Sequence, residues 1–368
     1  MTKESQKNNL ITRIIGIESI DKHEWHNFIS NISESTYFTT TDYWQNFDET
    51  HILQIIDNNN EILAGIPYRL ISLIPLIGKY FRFCRIDSSI LVKEKLDEKK
   101  RTEIKKLALQ SFIEYLKTQK VVFLYMSPMT RSHDSVLLKE VGFVNDRCAT
   151  LTIDLSNDED VIYKSFSSNN RNKISNALKN GVKIRIYEGE SALSHISEYI
   201  MLQNKLFEHK KNTYSEIYYK NELYLKSIFS SKYTKSYLAI AYYHNEPAAA
   251  AILISYKHLI YYYLGASDYK LVKDSKASNL LQFETIKFAK KSGYLIYDFG
   301  GIPFKSDPSF EIHGVYIFKK SFGGIRQKYD IGNYVISKFK YKILWQLNKN
   351  QSHPIIRFTY KLFNSRKQ

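Results

Sequence analysis

Two stretches of the chain repeat one order of hydrophobic spacing. In the first, a β-rich run from Ile71 to Leu91 leads into the charged loop KEKLDEKK. Apolar Ile104, Leu107, Ala108, Phe112 and Leu116 then recur at the spacing of a helix from about Thr102 to Thr118, before the strand VVFLYM. In the second, the strands LAIAYYH, AAAAILISY and LIYYYLGAS precede the loop YKLVKDSKAS. A helix from Asn279 to Lys291 follows, carried by Leu280, Leu281, Phe283, Ile286 and Ala289, and then LIYDFG. Between the two, RNKISNALKNGVKIRI reads as a helix that stops at Asn180-Gly181 and gives way to a strand. Helical spacing switches to strand spacing at matching places, which predicts two α/β domains of one build, at 1–150 and 151–330, with a segment at 331–368 left over.

The length of 368 residues exceeds one ordinary core and agrees with two domains, and 43% hydrophobic residues support folding throughout. Cys84 and Cys148 are too few for a disulfide framework and have no partner at metal-ligand spacing, so they read as reduced thiols. The opening MTKESQKNNL is polar, and the longest apolar runs, near Ile71 and Ala248, are strand-sized, so the expected location is the cytoplasm. Charge changes the picture more. The net charge is +16, and Ser337 to Gln368 holds eight Lys or Arg and no acid, interleaved with Phe339, Tyr341, Ile343, Leu344, Trp345 and further apolar residues. Such a face suits the phosphates of RNA or an anionic membrane surface. The plainer alternative is a solvated helix whose apolar side docks on the body of the protein.

Candidate chemistry concentrates between Tyr297 and Gly324, where YDFGGI is followed by GVYIFKKSFGG. The β-forming residues read as two strands and the paired glycines as turns. Two lysines inside an aromatic run must reach the surface or point into a polar cleft. On a strand Lys319 and Lys320 face opposite ways, Lys320 with Tyr316 and Phe318, Lys319 with Val315 and Ile317. Asp298, beside the glycines at a strand end, is placed either to orient or transfer a proton or to cap the turn. Glu284, Asp268 and His313 are weaker candidates. In Tyr261, Tyr262 and Tyr263 strand alternation lets only Tyr262, or Tyr261 with Tyr263, line a cleft.

These motifs resemble the signature of the Fem family, aminoacyl-tRNA-dependent transferases that add amino acids to cell-wall precursors. In that family an aromatic residue, then DFGG, then a segment like GLYRFKKGFGG come in this order near the C-terminus. The helix RNKISNALKNGV is similar to the one that opens the family's second domain, and Phe38 to Trp44 to a motif near the start of its first. The resemblance covers nearly the whole chain and implies an α/β fold of two tandem GNAT-like domains, each a mixed, mostly antiparallel sheet flanked by helices. The segment after 330 would pack back on the first domain. It also implies that a lysine of the GVYIFKKSFGG segment, Lys319 by preference over Lys320, stabilises the oxyanion of acyl transfer, with Asp298 beside it. Tyr262, Tyr263, Tyr316, Arg171 (or Lys173), Lys211 (or Lys210) and Tyr218 would contact substrates.

GNAT enzymes hold acyl-CoA on a glycine-bearing loop before the main helix. The loops KDSKASN and KEKLDEKK have no glycine, so no cofactor is expected and aminoacyl-tRNA is the implied donor. The acceptor is less defined. The family's lysine after the N-terminal tryptophan is missing, since Trp44 is followed by QNFDETH; its arginine four residues before a tyrosine is replaced in HKKNTYSEIYYKN, and FRFCRIDSSI lacks a Gly-Pro. The resemblance therefore implies a cytoplasmic, membrane-associated at most, N-acyltransferase of peptidoglycan biosynthesis, acting on an amine of an envelope precursor or a small molecule. Its alternatives are a GNAT-like enzyme using acyl-CoA or acyl carrier protein, and a non-catalytic RNA- or membrane-binding protein.

Overall fold

The strands group around two parallel pairs, one in each of two units of the chain. The computed structural model describes residues 10–72, 80–128, 134–209, 222–302 and 313–349. They divide into two units, one of the described residues up to Cys148 and from Lys328 onward, the other Ala149–Gln327.

The first unit runs β1 (Ile11–Gly16), α1 (Lys22–Ser30), α2 (Thr41–Trp44), β2 (Thr50–Ile56), β3 (Ile62–Ser72), β4 (Arg82–Ile86), β5 (Leu91–Val92), α3 (Glu98–Thr118), β6 (Val121–Met126) and α4 (Ser135–Val141). Next comes β7 (Val144–Asp154), whose later residues open the second unit. That unit continues through α5 (Glu159–Ser165), α6 (Ser168–Lys179), β8 (Lys183–Glu188), α7 (Glu190–Leu193), α8 (Ile196–His209), α9 (Glu222–Phe229), β9 (Lys235–Tyr243), β10 (Glu246–Tyr256) and β11 (Leu259–Ser267). It ends with α10 (Tyr269–Ser275), α11 (Ala277–Lys291), β12 (Ile296–Ile302) and α12 (His313–Lys320). The chain then returns to the first unit in β13 (Ile325–Val335) and α13 (Lys338–Lys349).

In the first unit the strands take the order β1-β2-β3-β4-β6-β13, antiparallel except for β4 beside β6. Helix α3 covers them because Ile104, Ala108, Phe112 and Leu116 fall on one stripe and pack with Leu53, Ile66 and Leu124. Asp97 starts this helix by accepting from the Lys100 amide at 2.9 Å. Helix α13 lies on β6, with Leu344 only 2% exposed among Phe83, Val122 and Phe123.

In the second unit the strands take the order β7-β12-β11-β10-β9-β8, and the parallel neighbours are β11 and β12. Leu280, Leu281, Ile286 and Ala289 of α11 sit in its core with Ala239, Ala251 and Leu253. Two expectations are corrected. YKLVKDS, read as loop, is α10, because Asp268 accepts from the Lys270 and Leu271 amides and starts a helix in a charged stretch. HGVYIFKK, read as a strand, is α12. Its buried residues, Tyr316 and Lys319, and then Phe322 recur at three-residue steps, and Phe322 packs on Phe299 and Phe318. Strand alternation would leave that set on both faces, so core packing overrides the β propensity of VYIF.

Candidate active site

The site is built where β11 and β12 part. Their parallel pairing runs Leu259↔Ile296, Ile260↔Tyr297 and Tyr261↔Asp298 and stops there. Beyond Asp298 the register of β12 against β7 shifts, so that Gly301 pairs with Thr150 and Ile302 with Ala149. Gly300, at φ 71°, is the residue that makes this bulge; a side chain there would be strained whatever space it had. The glycines read as a turn are therefore a bulge inside a continuing strand.

Asp298 is buried at the bulge, and its Oδ1 accepts from the Gly300 amide at 2.7 Å and from the Thr150 hydroxyl. The same hydroxyl lies 2.8 Å from the Gly300 carbonyl oxygen. Asp298 thus pins the bulge from inside, which is the capping alternative raised by the sequence, shifted from a turn to a strand. Thr150 was missed by sequence reasoning. The available signal was its alternation with Ala149, Leu151 and Ile153, which put a hydroxyl on the strand face opposite the core.

Lys319 comes into this place from the last turn of α12. It is 8% exposed, and its Nζ donates to the Gly301 carbonyl at 3.0 Å. Burial lowers its pKa to about 8, against the pull of the Asp298 carboxylate, which raises it. Lys320 is exposed and holds its ammonium 5.9 Å above the Tyr316 ring. Tyr316 itself is buried in the core, so it supports the helix and does not face a cleft with Lys320 as strand alternation suggested.

The tyrosines of β11 break alternation as well. Opposite β10 the register passes from Leu253↔Tyr262 to Ile252↔Leu264, which makes Tyr263 an extra residue. Tyr261 is buried, while Tyr262 and Tyr263 are both half-buried, so an alternating rule cannot select between them. A Cβ at Gly265 would fall 1.9 Å from the Tyr262 hydroxyl oxygen, so the tyrosine ring lies across a place that only glycine leaves open. The Tyr263 hydroxyl meets that of Tyr224.

The remaining predicted residues sit apart from this group. Arg171 donates to the Lys164 carbonyl at 3.1 Å and to that of Phe166, satisfying the end of α5 in place of a phosphate. Lys173 is half-buried on α6. Asp268 caps α10 and accepts from Lys205 Nζ at 2.8 Å; burial raises its pKa, but that bond and the backbone amides bring it below the usual value. Glu284 pairs with Lys287 at 3.4 Å. His313 opens α12. Lys210, Lys211 and Tyr218 lie outside the described residues. Buried Asn170 and Asn279, which no sequence signal marked, join the starts of α6 and α11 at 2.8 Å, and Asn170 also donates to the Ser321 carbonyl at 3.2 Å, just after α12. They fix the helix that carries Lys319.

Comparison with known proteins agrees with this frame. A model of the FemAB family matches residues 229–349, the stretch holding β11, β12 and α12. The chain is 31% identical over 105 residues to a Lipid II:glycine glycyltransferase of Staphylococcus haemolyticus (strain JCSC1435), a match that takes in 28% of this chain and 24% of that protein. The protein of the same description from Staphylococcus aureus (strain USA300) is 29% identical over 103 residues, again 28% and 24%. The chain thus spans about a quarter of the length of the curated relatives it matches. Among solved structures, FemX aligns over 90% of this chain and 99% of its own at TM-score 0.68 and 15% identity. A tandem GNAT protein from the clavulanic acid biosynthesis pathway aligns over 89% and 99% at TM-score 0.53 and 9% identity. These likenesses show the fold: two tandem GNAT-like domains.

Proposed function

We propose, for a chain that belongs to the Fem family, that it forms an amide bond by moving an aminoacyl group onto an amine of a cell-wall precursor, with aminoacyl-tRNA as the donor. The observation that carries the reading is the Lys319 ammonium, buried against the Gly301 carbonyl where β11 and β12 separate. In the reaction the acceptor nitrogen attacks the ester carbonyl, a tetrahedral oxyanion forms, the ester C–O bond breaks, and the amine's proton leaves with the ribose oxygen. A cation held in a site of low dielectric stabilises that oxyanion more than the neutral ester, and this difference accelerates the step. With a pKa of about 8, Lys319 is mostly protonated at neutral pH and keeps a proton to donate. Asp298 and Thr150 are positioning residues, which set the bulge and so the carbonyl on which Lys319 rests. Tyr262 and Tyr263, on the diverging strand, are placed to line the acceptor's approach.

The test uses purified protein, bulk tRNA charged with labelled amino acids, and an extract of amine-bearing envelope precursors. The expected result is label moving into an acceptor, abolished by RNase and by Lys319→Ala, and retained in Lys320→Ala. Transfer that survives RNase and runs from acyl-CoA or acyl carrier protein would overturn the donor. Full transfer by Lys319→Ala would overturn the site.

A further inference from the structure

The first unit carries a second basic feature that the transfer reaction does not use. Helix α13 is fixed on β6 by one side only, through Leu344 and through Tyr341, whose ring lies 5.7 Å from that of Phe123. Its other side turns Lys338, Phe339, Lys342 and Gln346 to solvent, and Phe339 is 76% exposed. Beside it Tyr80 is 54% exposed. Lys340 ties the two together, donating to the Tyr80 carbonyl at 3.0 Å with its ammonium 5.8 Å from the Phe81 ring. Lys120, in the turn after α3, places its ammonium 4.7 Å above one face of Tyr80.

We propose that this surface, with Phe339 and Tyr80 at its centre and Lys338, Lys340, Lys342 and Lys120 around them, docks the protein on an anionic lipid bilayer. The charge is of one sign, and the helix joins two protruding aromatic rings to ammonium groups on flexible stems. That is the composition of a helix lying in the plane of an interface, rings in the acyl boundary and lysines among the headgroups. Phe339 is the deciding residue. A single exposed apolar side chain is ordinary, but here Phe339 stands with exposed Tyr80 among lysines, and a bilayer gives both rings an apolar phase and the ammonium groups a headgroup layer. RNA suits the surface less well, since one face of Tyr80 is already taken by Lys120 and a base needs an open ring face on which to stack. Among the described residues no helix is long and apolar enough to cross a membrane.

The inference goes beyond the transfer reaction and is tested without it. The full chain is floated with vesicles of phosphatidylcholine alone and with about 30% phosphatidylglycerol, over a salt series. Binding to the anionic vesicles only, weakening with salt, is expected. Lys338→Gln with Lys342→Gln should weaken it about thirtyfold, from about fivefold for each lysine near the surface. Phe339→Ser should weaken it further without changing thermal melting. Equal binding by these variants and wild type would overturn the assignment of the surface. So would a failure of the wild type to bind vesicles while the lysine variants lose affinity for bulk tRNA, which would make the surface an RNA contact.

Discussion

Each unit sets a cation close to a buried aspartate beside its parallel strand pair, half-buried Arg85 in the first and buried Lys319 in the second, and the two are handled differently. In the first unit Arg85 of β4 contacts Asp87 directly, Nε to Oδ1 at 2.6 Å, and Asp87, 1% exposed, also accepts from the Tyr43 hydroxyl at 2.8 Å. Burial alone would raise the pKa of Asp87, but Arg85, with Arg69 and the two hydrogen bonds, holds it below the usual carboxylate value, and the pKa of Arg85 is raised in turn. In the second unit Asp298 accepts from the Gly300 amide of its own strand and from the Thr150 hydroxyl of the neighbouring β7, and Lys319 hydrogen-bonds a carbonyl oxygen. A cation in contact with a carboxylate is neutralised and its geometry fixed, which serves folding. One that donates to a carbonyl oxygen, with burial outweighing the pull of the nearby carboxylate, has its pKa near 8, the range the proposed chemistry needs.

The comparison breaks or sharpens at four points. The largest expected effect is on transfer: Lys319→Ala should lower kcat by about a hundredfold to a thousandfold, roughly 2.7–4 kcal/mol of transition-state stabilisation, with little change in KM. In wild type an alkaline limb near pH 8 should mark loss of the Lys319 proton, and Lys319→Arg, should it retain activity, should shift that limb upward. Next, Arg85→Ala leaves the Asp87 carboxylate buried and should cost about 3 kcal/mol in denaturant unfolding of the whole chain, the lower end for a broken buried pair because Arg85 is only half-buried and Arg69 still acts on Asp87. Asp87's pKa is depressed on folding, so its stabilisation is present above pH 3.8 and lost as pH falls through the lowered value.

Lys319→Met should do the opposite of Arg85→Ala and stabilise the protein by about 1–2 kcal/mol, because an apolar side chain carries no desolvation cost. The folded pKa of about 8 lies below the ordinary lysine value of 10.5, so the unfolded chain binds more protons between them. Wild-type stability should therefore rise with pH across that window, and the methionine variant should lack the slope. Last, Thr150→Val removes the hydroxyl between Asp298 and the Gly300 carbonyl, and should cost about 1 kcal/mol of stability while lowering kcat without raising KM. If Lys319→Met destabilises as Arg85→Ala does, the contrast between the two cations is wrong.

Much of this frame was legible in the chain. The apolar spacing of α3 and α11 and the stop at Asn180-Gly181 mark their elements locally, and the signature from Tyr297 to Gly324 drew attention to Lys319 and Asp298. The misread parts depend on partners far away in sequence. VYIF prefers a strand by itself, and only packing of Tyr316 and Phe322 against Phe299 and the rest of the core makes it helical. Extra residues in β11 and β12, at Tyr263 and Gly300, defeat the alternation rule that sequence reading relies on. The Arg85–Asp87 pair depends on Tyr43, 44 positions from Asp87, and FRFCRIDSSI gives no local sign of it.

Tyr262 and Gly265 are bound by simple geometry, the ring of one filling the volume that any β-carbon on the other would need. Gly265 is not free to gain a side chain while the tyrosine stays where it is. Among related sequences a residue other than glycine at 265 is expected only with a smaller residue at 262. Tyr262→Leu combined with Gly265→Ala is the natural first pair for redesigning the mouth of the site.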